Sequence, residues 1–193
     1  MRKITETLYE ILREAEKILR TSDIYFDGVF VAISNKEGLH GIIGSNDERD
    51  LEAIKRICEI LGIEIPEGGR YIMGTIHPSS IDYVQQNYGR NTFTPDFLVE
   101  HGRRENPHHD GALVFYEENG KITLALATFY VSIPPDRLLR EDNGMHGGRY
   151  HAARELSKYT GIECCGIIAT NDGNRNYTVH VFEDGREVTP NDL

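Results

Sequence analysis

Three short stretches of this 193-residue chain carry side chains able to do chemistry. In NPHHDGALVF, His108, His109 and Asp110 stand directly before Gly111 and Ala112 and an apolar run. Small residues at a strand start let a ligand approach the backbone closely. A carboxylate beside them can hold Mg2+ or Mn2+ or polarise a sugar hydroxyl. Three readings are open for this stretch: a metal site, a nucleotide site, or the polar mouth of a β-hairpin. In isolation, an Asp-Gly pair before a strand reads as a turn. A two-histidine-one-carboxylate site, such as a metal hydrolase would build from His108, His109 and Asp110, is disfavoured. Neighbours on a strand point to opposite faces, so the two histidines do not readily share one ion.

The second stretch is NGMHGGRYHAAREL. Gly147 and Gly148 precede a helix, where free N–H groups and the helix dipole favour an anion. Arg149 adds a planar fork suited to phosphate oxygens, and His151 a further donor. No Gly-Lys-Ser/Thr follows, which excludes a Walker-type phosphate loop. The third is IIATNDGN, where Thr170 and Asp172 close a strand. A hydroxyl and a carboxylate at a strand's C-terminal end face the ligand crevice of many α/β sheets, although a plain turn accounts for the same residues.

These residues need a scaffold, and the periodicity supplies one. Ile4, Leu8, Ile11, Leu12, Ala15, Ile18 and Leu19 recur at helical spacing, predicting an amphipathic helix over 3–20. FDGVFVAIS reads as a buried strand, NKEG as a turn and LHGIIGS as its hairpin partner. Ser45 and Glu48 are spaced as a capping box before the helical stripe Leu51, Ile54, Cys58, Leu61, which Gly62 is placed to end. GGRYIMGTI predicts a short strand, and PSSIDYVQQNYG and TPDFLVEHG predict helices, the second with Pro95 at an early position. GALVFY, the turn EENG and KITLALATFYVS form a hairpin, and Pro134-Pro135 forces a loop. GGRYHAARELSKYTG is a helix, and IECCGIIAT and YTVHVFE are strands joined by the turn NDGN. Asp27-Gly28-Val29-Phe30-Val31 echoes Asp110-Gly111-Ala112-Leu113-Val114, which reads as two strand openings of like chemistry rather than a duplication. The expectation is one α/β domain, a mixed sheet flanked by helices.

Composition narrows the partners. A net charge of −10 argues against a general nucleic-acid binder, whose affinity comes from neutralising phosphates, but leaves room for a small phosphorylated ligand held by local groups. No apolar run approaches a membrane span, and the N-terminus lacks the apolar core of a secretory signal. The expected location is the cytoplasm. Cys58, Cys164 and Cys165 have neither disulfide nor zinc spacing and read as buried, reduced thiols.

Taken in order, PHHDGALVF, GGRYHAA and IIATND resemble the diadenylate cyclase domain. That family carries a PLHDGA-type segment, a hairpin, a GTRHRAA-type segment opening a helix, and a strand ending in Ser-Glu-Glu. The resemblance covers residues 107–188, and residues 25–45 resemble the family's first hairpin. Beyond the N-terminal helix, assigned to 1–22, it implies a diadenylate cyclase-like nucleotide-binding domain over 23–193, with an unassigned insertion at about 46–105. It also implies that two ATP-loaded domains meet face to face and form cyclic di-AMP and two pyrophosphates with Mg2+ or Mn2+. Carried over by position, Asp110 assists the 3′-hydroxyl and holds the metal, and Gly111 and Ala112 admit the nucleotide. Gly148 and Arg149 cradle the phosphates, Gly147 and Tyr150 belong to the nucleotide-binding set, and Arg149 and His151 join Asp110 in catalysis. Thr170 replaces a phosphate-binding serine, Asp172 stands near it, and Tyr130 falls where relatives contact adenine. The chain departs from the pattern where Arg149-Tyr150-His151 replaces Arg-His-Arg, Gly148 replaces a threonine, and Asn171-Asp172 replaces two glutamates. His151 lacks the permanent charge of arginine. The alternative expectation is therefore a nucleotide-binding or sensor module that is non-catalytic or makes a different product. The N-terminal helix then either sets an oligomer, inhibits, or packs on its own domain.

Overall fold

The computed structural model describes residues 4–43, 51–64, 72, 74–133, 147–171 and 176–193. Its centre is the run VFVAIS, β1 (Val29–Ser34), whose six residues are all buried. An unbroken apolar run without alternation suits a strand covered on both faces. β1 pairs in parallel with β3 (Ala112–Glu118) and antiparallel with β5 (Ile162–Asn171). β3 turns back into β4 (Lys121–Val131) through Asn119 and Gly120, both at positive φ, the conformation that an Asn-Gly hairpin turn requires. With β2 (Gly74–Ile76), β6 (Asn176–Glu183) and β7 (Arg186–Glu187), the seven-stranded mixed sheet runs β2-β4-β3-β1-β5-β6-β7.

Helices cover both faces, and the alternation of buried side chains follows. Cys164 faces the core built with α1 (Ile4–Thr21) and α5 (Pro95–His101), whereas Cys165 faces the core built with α2 (Lys36–Ile43), α3 (Leu51–Leu61) and α6 (Gly148–Leu156). Both thiols are free, and burial pushes them up, away from thiolate chemistry. α1 buries Leu8, Leu12, Ala15 and Leu19 against β5, β6 and α5. Gly166 of β5 gives it room, since a Cβ there would lie 2.4 Å from Leu12 Cδ1. The buried Glu16 is neutralised by Arg13 and by Arg20, the latter at 2.6 Å. The N-terminal helix thus packs on its own domain.

One expected element is different. LHGIIGS is not a hairpin partner of β1: residues 36–43 form α2. Asn35 opens it, its carbonyl accepting from Leu39 N at 3.0 Å and its Oδ1 from Gly38 N at 3.1 Å. Leu39, Ile42 and Ile43 then fall on one buried face. A short apolar run does not distinguish strand from helix by period alone, and here the Asn cap decides. The hairpin expected over 25–45 is therefore a strand followed by a helix. β1 finds its neighbours in β3 and β5 instead.

The stretch 46–105 joins the same fold wherever it is described. β2 extends the sheet beside β4, α3 adds Ile54, Ile57 and Cys58 to the core, and α4 (Ser80–Asn87) crosses β4. The Ser80 hydroxyl accepts from Ala127 N at 2.9 Å, beside a bulge where Thr128 adopts φ 55°. α5 begins with Thr94 capping Phe97 N and Pro95 in the first turn. The expected capping box at Ser45–Glu48, the Pro134-Pro135 loop and the NDGN turn from Asp172 onward lie outside the described residues. Among the described residues, no helix is long and apolar enough to cross a membrane.

Candidate functional site

Strand direction gathers the chemistry. β1 and β3 are parallel and β5 is antiparallel to β1, so the starts of β1 and β3 and the end of β5 lie at one sheet edge. Asp27-Gly28 and Asp110-Gly111 are therefore neighbours in space, and the sequence echo between them is a pair of adjacent carboxylates. Thr170 lies at the same edge, paired with Tyr177.

Arg149, in the first turn of α6, ties these pieces together. Nη1 donates to the Asp27 carbonyl and Nη2 to Asp110 Oδ1, the latter at 3.2 Å. His109 Nδ1 donates to the Asn106 carbonyl at 2.5 Å. That turns Nε2 toward Asp27 Oδ2 at 3.4 Å and Asp110 Oδ1 at 3.6 Å. Two carboxylates, a guanidinium and an imidazole thus share a few ångströms at an accessible edge. The Asp110 side chain is 59% exposed, so it can reach a ligand.

The turn carrying His109 and Asp110 is built by Asn106. Its Nδ2 donates to the His101 carbonyl and its Oδ1 accepts from His108 N, each at 2.9 Å. Beneath it lies His101, 1% exposed, with Nδ1 2.9 Å from the Tyr83 hydroxyl. Burial, then the positive charge of His108, His109 and Arg149, brings its pKa down to about 3. His108 points away from Asp110: its ring lies 4.8 Å from that of Tyr83, and its Nδ1 is 3.2 Å from Ser79 Oγ. The two histidines diverge as expected, although a turn rather than a strand separates them.

The glycines have specific reasons. Gly28 has φ 117°, and a Cβ there would lie 2.6 Å from Arg149 Nη1 and 2.9 Å from the Ile168 carbonyl. Gly111 has φ 76°, and its Cβ position is filled by the backbone of Thr128 and Phe129. Its close neighbour is therefore β4, and the Ala112 methyl lies in the core. Gly28→Ala combines a disfavoured φ with a backbone collision. It should cost roughly 2 kcal/mol or more and displace Arg149, as read by urea unfolding against wild type. An unchanged midpoint would contradict this packing.

Around this centre, the other expected residues take distinct positions. Gly147 and Gly148 face open space, and among the described residues no side chain caps the start of α6. Tyr150 N turns back to the Gly147 carbonyl at 3.1 Å, which leaves the N–H groups of Gly148 and Arg149 as the donors of this first turn. Tyr130, partly exposed, is close enough to Asp110 that burial and then this carboxylate raise its pKa. Tyr150 turns to the far side of α6, donating to Glu187 Oε2 at 3.0 Å and packing edge-on against His180 and Phe182. His151 is half-buried beside the Tyr150 ring. Asp172 lies outside the described residues. Sequence reasoning missed Asp27 and Asn106. The Asp-Gly echo was the signal for the first, and nothing in the local pattern marked the second.

Among the described residues, no group of three or more His, Cys, Asp or Glu is arranged to hold a metal ion by itself. Comparison of the chain with protein-family models and with curated proteins finds no match.

Proposed function

We propose that this chain is a nucleotidyl cyclase of the diadenylate cyclase type, condensing two ATP into cyclic di-AMP and two pyrophosphates where two chains meet. The observation that carries the reading is the pairing of Asp110 with Arg149, in the first turn of α6, at the end of the sheet where β5 also brings Thr170. They lie in the chain order of the motifs that PHHDGALVF, GGRYHAA and IIATND resemble.

In each of two successive steps, a ribose 3′-oxygen of one ATP attacks the α-phosphorus of the other. The new O–P bond forms as the α–β phosphoanhydride breaks, and pyrophosphate leaves with the electron pair. Asp110 accepts the hydroxyl proton. Arg149 exchanges its present carboxylate for phosphate oxygens, to which its planar fork is matched. The α6 N–H groups and the Thr170 hydroxyl add neutral donors. In-line transfer of this kind needs positioning and charge neutralisation more than covalent catalysis.

Mg2+ or Mn2+ suits the donor set. Asp27 and Asp110 present hard carboxylate oxygens side by side, and Mg2+ is characteristically bound by one or two carboxylates with substrate phosphates and water. When bound, the ion offsets the charge of the phosphates. Each chain offers one such edge, so two-fold ring closure requires a second copy.

Incubating purified protein with ATP and Mn2+ or Mg2+ tests the reading by mass spectrometry. Cyclic di-AMP should appear with two pyrophosphates per product, at a rate rising more steeply than linearly with protein concentration. ATP binding without cyclic product under either metal overturns the enzyme and leaves the nucleotide-binding module.

A further inference from the structure

We infer that Arg104 supplies the second fixed positive charge for the substrate polyphosphate, the charge that position 151 lacks in this chain. The inference rests on the nucleotide reading of the site and names a residue that no part of the motif includes.

A pocket of about 280 Å3, lined by Asp23, Tyr25, Asp27, Arg104, Thr170 and Tyr177 among others, meets the Asp110–Arg149 pair through Asp27. It brings Thr170 and the segment leading into β1 around one cavity. Among its described lining residues, Arg104 alone carries a fixed positive charge. Its backbone is anchored, with Arg104 N donating to the Tyr25 carbonyl at 2.9 Å. The neighbouring Arg103 is bridged to Phe26 and ion-paired with Glu100 at 2.8 Å. The Arg104 side chain is exposed and has no ion pair among the described residues.

Charge balance gives this arginine its role. The chain carries −10, and the pocket rim holds the carboxylates of Asp23 and Asp27. Arg149, even when it leaves Asp110 for the phosphates, supplies one charge and stays tied to the Asp27 carbonyl. A polyphosphate carrying several negative charges needs a further uncommitted cation here. Arginine keeps its charge at every working pH and binds phosphate oxygens in pairs, which an imidazole at position 151 does not.

The test measures equilibrium binding of 3′-deoxy-ATP, which lacks the attacking hydroxyl, and of inorganic tripolyphosphate, each with Mg2+. Arg104→Ala should weaken both by about 10- to 100-fold, the range for losing a hydrogen bond to a charged group, with an unchanged melting temperature. Arg104→Lys should recover part of the loss, and His151→Arg in the Arg104→Ala background should recover most of it. Arg90→Ala removes the same charge in the cleft at the β3–β4 turn and should change neither affinity. Wild-type affinity in Arg104→Ala overturns the inference, as does a loss confined to 3′-deoxy-ATP with tripolyphosphate unaffected. If the wild type makes no cyclic di-AMP yet Arg104→Ala weakens both ligands, the cyclase reading falls and the role of Arg104 stands.

Discussion

Asp110→Asn should form cyclic di-AMP at least about 100-fold more slowly than wild type while still binding ATP. The substitution keeps the shape of the side chain and an oxygen for Arg149 Nη2, now 3.2 Å away, so the turn from Asn106 to Gly111 is retained. What it removes is the negative charge to which the proposed mechanism assigns the hydroxyl proton and the cation. Asp27→Asn removes only a neighbouring charge, and its loss should fall mainly on the metal concentration needed for half-maximal rate. Initial rates over a Mn2+ titration separate the two variants. Equal turnover by wild type and Asp110→Asn removes Asp110 from the mechanism.

The second large effect is on acid stability, and it originates one layer beneath the site. His101 is buried, and its folded pKa lies near 3 against an ordinary 6.5. Between those values the unfolded chain binds a proton that the folded chain refuses. Stability therefore rises with pH across this window and is lost as pH falls from 6.5 toward 3. The loss approaches about 1.4 kcal/mol per pH unit from this one group. Urea unfolding at intervals from pH 7 to pH 4 should show that decline in wild type. His101→Gln keeps a polar partner for the Tyr83 hydroxyl without a titrating ring, so its decline should be clearly shallower. Equal slopes would place the acid sensitivity elsewhere. Because the His101 carbonyl also holds Asn106, and Asn106 holds His109, acid should disorganise the turn that carries His109 and Asp110 before the whole fold.

Much of this molecule is local and therefore legible. The α1 stripe of Leu8, Leu12, Ala15 and Leu19 is buried as its spacing requires. Asn119-Gly120 makes the β3–β4 turn, and Gly147-Gly148 leave the start of α6 open. Each follows from propensities acting over a few residues. The helix α2 is not legible locally, because Asn35 serves alike as a turn residue and as a cap. Its contact with Gly161, whose carbonyl accepts from Asn35 N at 2.9 Å, is too distant in sequence to see.

By itself the sequence determined that Asp110 opens a strand, that Arg149 stands in the first turn of a helix, and that β1 is buried on both faces. Only the tertiary structure decided that β1 and β3 run parallel, and that decision makes Asp27 the neighbour of Asp110 rather than its distant echo. It also turned Tyr150 toward Glu187 and Arg149 toward the two aspartates, and set Arg104 beside Thr170. The physical reason is one of range. Helix and turn preferences act through backbone geometry within a few residues. Which strand lies beside which is settled by burying both faces of a single sheet, a condition that the whole chain must satisfy at once.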